Sequence, residues 1–321
     1  MSIPFKDKSL FFAPMEGVTD ECYRSVIAAL YPEWDYTSTD FLRISTVGMY
    51  PDKHIIKHYG KSFYDNKELR DKTIYQILTS ESAYTAEHAV RIQALGFEWL
   101  DINLGCPSKT VCKNKGGSYL LSDLPVLKKI IKQIRDNFHG TFTAKIRVGY
   151  RDDTNFENIL KTLEDLGVDA ITIHARTRDE LYKGVANWDY VKEAVKVVNI
   201  PIVGNGDIWS VEDINRYFDY TDAHSVMIAR GALKTPWMAR EFRAGNTIDD
   251  PQMRVNEMVR YYQYFYNQIC EMQNLPDISK NRRLKSISRY IFDPLDNGPA
   301  LKKSFLLSKS IEEMFDVIKS I

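Results

Sequence analysis

The strongest constraint on the fold of this chain is a regular alternation of two kinds of segment between residue 10 and about residue 240. Short apolar runs rich in Val, Ile and aromatic residues predict buried strands, and the longer amphipathic stretches between them predict helices. Eight such strand–helix units can be counted. The predicted strands cover residues 10–13, 36–39, 73–78, 99–103, 143–148, 170–174, 200–204 and 225–229.

Eight strand–helix units in a row predict an α/β fold, the (β/α)8 or TIM barrel. Glycines that follow predicted helices, such as Gly96 and Gly167, are typical of helix C-termini, and Thr19 is expected to cap the first helix. A doubly wound open sheet is the structural alternative, but no Gly-x-Gly-x-x-Gly motif follows the first strand. Because a barrel carries its active site at the C-terminal ends of its strands, we sought candidate residues there.

The pattern changes in the last quarter of the chain. Residues 253–271, residues 278–292 and two short segments near Leu301 and Ile311 have helical periodicity, and no strand pattern interrupts them. Turn-forming residues cluster over residues 245–251. We therefore predict a barrel domain over residues 1–245 and a small all-helical domain over residues 246–321.

Charge is balanced over the whole chain, with 43 Lys and Arg against 43 Asp and Glu. This balance argues against a protein that coats nucleic acid with its entire surface, but it allows a local basic face. Such a face is predicted within residues 278–292, which contain Tyr290 and no acidic residue. A face of this kind suits phosphate contacts with a folded RNA, and a solvated helix face is the alternative interpretation. Its cations are Lys280, Arg282, Arg283, Lys285 and Arg289.

Several classes of protein are excluded by the cysteines and the hydropathy. The four cysteines contain no Cys-x-x-Cys pair, so we expect neither a disulfide scaffold nor a zinc site, and we predict no metal. Apolar runs of about 18 residues are missing, so we expect no membrane span. The N-terminus does not resemble a signal peptide, and the predicted location is the cytoplasm.

The fourth predicted strand leads into Asn103-Leu-Gly-Cys106-Pro. A cysteine between Gly and Pro at a barrel strand end is held in place and faces the predicted cavity. An unperturbed thiol has a pKa near 8.5 and is mostly protonated at neutral pH, so Cys106 could act as a general acid or as a nucleophile.

The later strands end in groups that suit an anionic ligand. Lys145 and Arg147 share one face of the fifth strand, and a cation inside a barrel mouth needs an anionic or electron-rich partner. His174 ends the sixth strand at the same rim. The glycine-rich turns Gly204-Asn-Gly206-Asp and Arg230-Gly231 predict the phosphate site common after strands seven and eight of such barrels. Either a flavin mononucleotide or a sugar phosphate would fit, and in the second case Lys145 could form the Schiff base of an aldolase.

Taken in order, six segments of the chain resemble the tRNA-dihydrouridine synthase family. They are Ala13-Pro-Met15-Glu-Gly-Val-Thr-Asp20, Asn103-Leu-Gly-Cys106-Pro-Ser-Lys-Thr110, Lys145-Ile-Arg147, His174-Ala-Arg176-Thr, Gly204-Asn-Gly206-Asp and Arg230-Gly231. The resemblance implies an FMN-binding TIM barrel with a helical C-terminal domain that reduces uridine in the D-loop of tRNA to 5,6-dihydrouridine. It also implies that NADPH re-reduces the flavin, that hydride from reduced FMN reaches C6, and that Cys106 protonates C5.

The resemblance also assigns roles to individual residues. Residues implied to bind the flavin are Ala13, Pro14, Met15, Gln76, Lys145, His174, Asn205, Gly206, Asp207, Arg230 and Gly231. Residues implied to contact the tRNA are Arg43, Asn103, Arg147, Arg176, Arg283 and Lys285. The stretches Thr39-Asp-Phe-Leu-Arg43 and Arg283-Leu-Lys285 look most like the bacterial C-type branch, which acts at position 16 of the D-loop.

Two further interpretations remain open at this stage. One is a flavin-dependent oxidoreductase of a free pyrimidine, similar to dihydroorotate dehydrogenase, although the basic helical tail has no purpose in such an enzyme. The other is a non-catalytic RNA-binding barrel. For the family-like enzyme we expect a monomer with tRNA as its partner.

Overall fold

The computed structural model describes residues 4–295 and 297–321 and is built around a parallel β-barrel. The strands are β1 (Leu10–Phe12), β2 (Tyr36–Ser38), β3 (Leu42–Arg43), β4 (Thr73–Leu78), β5 (Trp99–Leu104), β6 (Thr141–Arg147), β7 (Ala170–His174), β8 (Ile202–Asn205) and β9 (Ser225–Ile228). Hydrogen bonds join them in the order β1, β2, β4, β5, β6, β7, β8 and β9, and β9 pairs with β1 to close the ring. The predicted eight-stranded barrel is confirmed.

The strand boundaries agree with the sequence prediction to within two residues, and β4 and β7 agree at both ends. The short strand β3 was not predicted. It pairs with the end of β4 through Leu42 and Arg43. Two residues are too few to show an alternating pattern, so the sequence carries no signal for this strand.

Helices surround the barrel. They are α1 (Glu21–Leu30), α2 (Asp52–Tyr59), α3 (Lys61–Asp65), α4 (Lys67–Asp71), α5 (Thr85–Ala94), α6 (Lys109–Lys113), α7 (Leu124–Arg135), α8 (Phe156–Asp165), α9 (Asp189–Val197), α10 (Val211–Thr221), α11 (Arg230–Lys234) and α12 (Met238–Ala244). A 3-10 helix covers Gly117–Ser122. Gly96 and Gly167 follow α5 and α8 with φ values of 77° and 83°, the left-handed conformation that suits glycine after a helix.

The first helix begins one residue later than predicted. Asp20, not Thr19, caps α1, because the Asp20 carboxylate accepts a hydrogen bond from the Tyr23 amide at 2.9 Å. The Thr19 hydroxyl instead accepts a hydrogen bond from the Met15 amide at 3.0 Å and thereby fixes the turn after β1. Both residues are good N-caps, and the local sequence does not distinguish them.

Four further helices follow the barrel, as predicted: α13 (Pro251–Met272), α14 (Asp277–Ile287), α15 (Gly298–Leu307) and α16 (Ile311–Lys319). The predicted helix over residues 278–292 ends earlier, at Ile287. The helix α13 packs on α1, where the hydroxyls of Tyr261 and Tyr23 lie 2.9 Å apart and the rings of Tyr23 and Phe265 meet edge to face. The helical segment therefore rests beside the turn that leaves β1.

Aromatic side chains fill the N-terminal end of the barrel. Phe5 stacks on Trp99 with ring centres 5.7 Å apart, and Phe11 and Tyr36 pack around them. Only a cavity of about 10 Å³ remains in this layer, which is too small for an organic ligand. Within residues 4–295 and 297–321, no helix is both long and apolar enough to cross a bilayer.

Candidate active site

A cavity of about 460 Å³ opens at the C-terminal ends of β1, β6, β7, β8 and β9. Its volume lies within the range of small-molecule sites, roughly 300–1,000 Å³. Ten of the eleven residues predicted to bind a flavin lie in its wall. These ten are Ala13, Pro14, Met15, Lys145, His174, Asn205, Gly206, Asp207, Arg230 and Gly231.

Lys145 brings a positive charge into this cavity. Its amine donates a hydrogen bond to the Asn205 side-chain oxygen at 3.2 Å, and the Asn205 amide donates to the Met227 carbonyl at 2.7 Å, which fixes the orientation of Asn205. Burial and the nearby Arg147 charge lower the pKa of Lys145 to about 8, while Asp101 opposes this shift. Lys145 is therefore mainly cationic at neutral pH. Its charge suits an anionic or electron-rich ligand.

His174 is neutral. Burial, followed by the charges of Arg147, Lys145, Arg176 and Arg230, holds the pKa of His174 well below its usual range. The Arg176 guanidinium lies 3.3 Å from Nε2 of His174. Since a guanidinium can only donate, Nε2 accepts and the ring proton is on Nδ1. His174 thus offers a single N–H donor to a ligand.

Asp207 holds two arginines at the cavity. Its carboxylate pairs with Arg176, accepts from Arg230 at 2.8 Å and accepts from the Ala186 amide at 2.8 Å. Arg230 is partly exposed and lies 4.8 Å from the centre of the Trp209 ring. The guanidinium of Arg230 can therefore reach an anion in the cavity, with Asp207 and Trp209 fixing its position.

Two glycines in the cavity wall lie against neighbouring segments with no room for a side chain. A Cβ atom at Gly206, where φ is 126°, would lie 2.9 Å from the Ala186 Cβ. At Gly231 it would lie 2.1 Å from the Ile208 carbonyl oxygen. Neither position can accept a larger residue without movement of its neighbours. The glycine-rich turns predicted to form a phosphate site thus lie side by side in the cavity wall.

Cys106 lies in the loop after β5, and Asn103 holds this loop in shape. The Asn103 side-chain oxygen accepts the amides of Gly105 at 3.0 Å and Cys106 at 2.9 Å. The Cys106 carbonyl accepts from the Ser118 hydroxyl at 2.7 Å. Burial raises the pKa of the Cys106 thiol, against a backbone hydrogen bond from Ser108. Cys106 is a free, half-buried thiol that keeps its proton at neutral pH. It is not among the residues that line the cavity, contrary to the sequence prediction that it faces the cavity, and it lies on the loop beside it.

Comparison with known proteins identifies the family. The family described as "Dihydrouridine synthase (Dus)" matches residues 11–319. The chain belongs to the dihydrouridine synthase family. A "tRNA-dihydrouridine(16) synthase" of Pseudomonas syringae pv. tomato is 34% identical over 236 residues, which cover 72% of this chain and 74% of the relative. A tRNA-dihydrouridine(16) synthase of Neisseria meningitidis serogroup A is 27% identical over 300 residues, which cover 91% of this chain and 89% of the relative.

A solved structure supports the fold alone. The complex of 2-naphthoyl-CoA reductase with 2-naphthoyl-CoA superposes with a TM-score of 0.55 at 10% sequence identity. The superposed region covers 74% of this chain and 50% of the reductase chain. The family match confirms the predicted reaction: this dihydrouridine synthase is a flavin-dependent oxidoreductase that reduces uridine in tRNA to dihydrouridine. The aldolase, free-pyrimidine and non-catalytic interpretations are thereby set aside.

The cavity of this dihydrouridine synthase fits a flavin. A flavin nucleotide carries electron-rich ring oxygens at one end and a phosphate on its side chain at the other. Lys145 and the Nδ1–H of His174 can donate to ring oxygens, and Arg230 with the glycine-opened turns can hold a phosphate. Several side chains of the wall were not predicted as flavin contacts: two follow β7 and β8 in their loops, and three come from the C-terminal helical segment. They include Tyr182, Trp209, Ser286, Arg289 and Tyr290.

Gln76 is the one predicted flavin contact outside this wall. Its amide nitrogen donates to the Asp101 carboxylate at 2.8 Å, and its oxygen accepts from the Asn103 amide at 2.8 Å. Asp101 is buried, and burial raises its pKa to about 7 although Thr143 and Gln76 donate hydrogen bonds to it. Asp101 was not predicted as a site residue, since an acidic residue inside a strand gives no distinctive sequence signal.

Two arginines implied to contact the tRNA are buried and donate to backbone carbonyls. Arg147 is 2% exposed and donates to Gly105 at 3.0 Å and to Thr177 at 2.8 Å, so it joins the Cys106 loop to the loop after β7. Arg176 is 1% exposed and donates to Gly184 at 2.8 Å besides pairing with Asp207. In this structure both arginines stabilise loops around the site.

None of the six implied tRNA contacts lines the cavity, and three of them lie farther out. Arg43 is exposed on β3 and lines a second cleft of about 560 Å³ together with Lys113 and Lys115. Arg283 donates to the carbonyls of Gly17 and Val18 at 2.8 Å and pairs with the carboxylate that caps α1. Lys285 donates to the Ser308 carbonyl at 2.6 Å. Arg283 thus ties α14 to the turn after β1.

Proposed function

We propose that this dihydrouridine synthase uses FMN and NADPH to reduce the uridine at position 16 of the tRNA D-loop, with Cys106 as the proton donor. The observation that carries the proposal is the protonated, half-buried Cys106 thiol in an ordered loop of the barrel rim that also carries the cationic cavity. A monomer is the proposed working form. The proposed place of action is the cytoplasm, where tRNA is found.

The chain's own groups favour FMN as the flavin. Arg230 and the amides around Gly206 and Gly231 offer one site for a terminal phosphate, and Asp207 holds Arg230 there. Bound flavin supplies the hydride that the reduction requires. Lys145 stabilises negative charge at the opposite end of the ligand, and the neutral His174 donates its single N–H.

Cys106 supplies the proton that completes the reduction. Hydride addition at C6 of uracil turns the C5–C6 double bond into a single bond and leaves enolate character at C5 and O4, and protonation of C5 then gives dihydrouridine. The raised pKa of Cys106 keeps the proton on sulfur until it is needed. Asn103 and Arg147 both hold the peptide group that joins Gly105 to Cys106, which lies directly before the thiol-bearing residue.

The uridine must leave its stack to reach the cavity, at a cost of a few kcal/mol. We propose that the barrel over residues 1–245 carries the reacting groups and that the helical domain over residues 246–321, which also contributes to the cavity wall, grips the tRNA. Its basic face leaves Arg282 and Arg289 exposed, whereas Arg283 and Lys285 also bond backbone carbonyls of this chain. Phosphate contacts of exposed cations would supply affinity without reading sequence.

Position 16 is supported by two observations. Relatives from Pseudomonas syringae, Shewanella oneidensis and Neisseria meningitidis carry the name tRNA-dihydrouridine(16) synthase. The stretch from Thr39 to Arg43, which includes β3, and the pair Arg283 and Lys285 resemble the same branch.

Mapping of dihydrouridine tests the proposal. In tRNA from cells that lack this protein, we expect dihydrouridine to be missing at position 16 and retained at other positions. Purified protein with FMN, NADPH and this tRNA should restore it, and NADH should support a slower reaction. Turnover of free uracil or dihydroorotate without activity on tRNA, or loss at another position, would contradict the proposal.

The basic face has its own test. With the enzyme kept saturated with flavin, because Arg289 also lines the cavity, we expect the double variant Arg282→Ala and Arg289→Ala to bind tRNA more weakly. The slope of log affinity against log salt should fall by about 2, because each lost phosphate contact removes roughly one released counterion. Filter binding across a salt series measures this slope. Arg283→Ala with Lys285→Ala should also weaken binding but should lower the melting temperature, since those side chains bond this chain as well. An unchanged salt slope in both double variants would refute the tRNA-binding role.

A further inference from the structure

A continuous chain of side-chain hydrogen bonds runs from the barrel interior to the Cys106 loop. Asp101 lies between Gln76 and Thr143 on neighbouring strands, because the strand register pairs it with both. It accepts from the Gln76 amide at 2.8 Å and from the Thr143 hydroxyl at 2.7 Å. Gln76 in turn accepts from Asn103, and Asn103 accepts from the loop amides of Gly105 and Cys106.

The direction of donation along this series of hydrogen bonds is fixed at both ends. The backbone amides of the Cys106 loop can only donate, so the Asn103 side chain must turn its oxygen toward them and its nitrogen toward Gln76. Gln76 must then offer its oxygen to Asn103 and its nitrogen to the next partner. That partner must be an acceptor, and Asp101 provides one. Replacement of this acceptor by an apolar group would leave Gln76 with a buried unpaired N–H and free it to turn over.

We infer that Asp101 is a positioning residue for the general acid: its carboxylate oxygen fixes the orientation of Gln76 and Asn103, and through them the Cys106 loop. The inference rests on the proposed role of Cys106. The accepting oxygen matters, and the negative charge does not, because the chain needs only one lone pair directed at Gln76. Asp101 touches neither the cavity nor the thiol, so its effect on catalysis is transmitted by hydrogen bonds.

Three variants separate the accepting oxygen from the charge and from general stability. Asp101→Leu removes the acceptor and the charge. Asp101→Asn removes the charge but keeps an oxygen that can accept from Gln76. Thr143→Val removes the other hydrogen bond of Asp101, on the side away from Cys106. Asp101→Ala is prepared in parallel, so that the comparison stands if the leucine variant fails to fold.

For Asp101→Leu we expect kcat to fall by about tenfold to a hundredfold, as for small misplacements of a catalytic group, with nearly unchanged KM for tRNA and flavin content. Asp101→Asn and Thr143→Val should stay close to the parent enzyme. A second readout does not depend on turnover: alkylation of Cys106 by iodoacetamide should be faster in Asp101→Leu, measured by mass spectrometry in a Cys270→Ser background because Cys270 is the exposed cysteine.

Each other outcome overturns the inference. Equal losses in Asp101→Asn and Asp101→Leu would assign the effect to charge near Lys145. If kcat fell in all three variants in proportion to the fall in their melting temperatures, the role of Asp101 would be structural only. If kcat and the alkylation rate were unchanged in Asp101→Leu, Asp101 would have no role in catalysis. The proposed role of Cys106 would still stand if Cys106→Ala were inactive.

Discussion

Replacement of Cys106 by Ala is expected to slow dihydrouridine formation by about 10²- to 10⁴-fold, the usual contribution of a general acid. The thiol is half-buried with a raised pKa, so its role is to hold and release a proton. Bound flavin and tRNA affinity should not change, because the loop is fixed by the backbone amide and carbonyl of Cys106 and not by its sulfur. Single-turnover assays with pre-reduced enzyme measure the loss in the chemical step directly.

Matched controls are available among the other cysteines. Cys112→Ala removes a thiol that lies 3.8 Å from the Cys106 carbonyl, and Cys270→Ala removes an exposed one. Both should retain activity. Cys106→Ser keeps the size of the side chain but offers a far weaker acid, so it should remain slow. Full activity in Cys106→Ala would show that another group, or water, protonates C5.

Replacement of Lys145 by Met is expected to weaken FMN binding by about 10- to 100-fold, the range for a lost hydrogen bond to a charged group. The methionine has a similar length and leaves the Asn205 oxygen without its donor. Lys145→Arg should bind FMN nearly as well as the parent. The affinity is measured from the quenching of flavin fluorescence when apoenzyme is added. Equal affinity in Lys145→Met would remove Lys145 from the cofactor site.

The pH dependence of FMN affinity is a second test of Lys145, because the direction of the change with pH is also predicted. Burial lowers the pKa of Lys145 to about 8, and a lysine is charged below its pKa and neutral above it. A ligand that prefers the charged form takes up a proton on binding above that pKa. FMN affinity of the parent enzyme should therefore fall between about pH 7 and about pH 9, whereas Lys145→Arg should show a flat profile, because arginine stays charged.

Local patterns were sufficient to predict the barrel and most of the cavity wall. Strand and helix periodicities are properties of adjacent residues, and a barrel brings the ends of all its strands to one face. Residues at strand ends, such as Lys145, His174 and Asn205, could therefore be grouped before any coordinates were known. Their individual roles came from the family resemblance and not from the pattern.

Contacts between distant segments could not be predicted in this way. Arg283 was expected to face tRNA, but in the structure it bonds the turn after β1 as well. The hydrogen-bond chain through Asp101 depends on the register of three strands, which no local pattern encodes. The cap of α1 by Asp20 was missed for a smaller reason, since two adjacent residues had equal capping ability.

The C-terminal helical segment has a consequence for how this enzyme can be divided. Ser286, Arg289 and Tyr290 belong to the wall of the cofactor cavity, and the Tyr290 ring lies 6.0 Å from that of Trp209 on the barrel. A truncated protein that stops at residue 245 would lose one side of this wall and open it to solvent. We expect the recombinant barrel alone to retain less flavin than the full chain. Replacing the C-terminal helical segment with that of a relative that modifies another tRNA position would change flavin binding as well as tRNA selection. The two properties must therefore be engineered together.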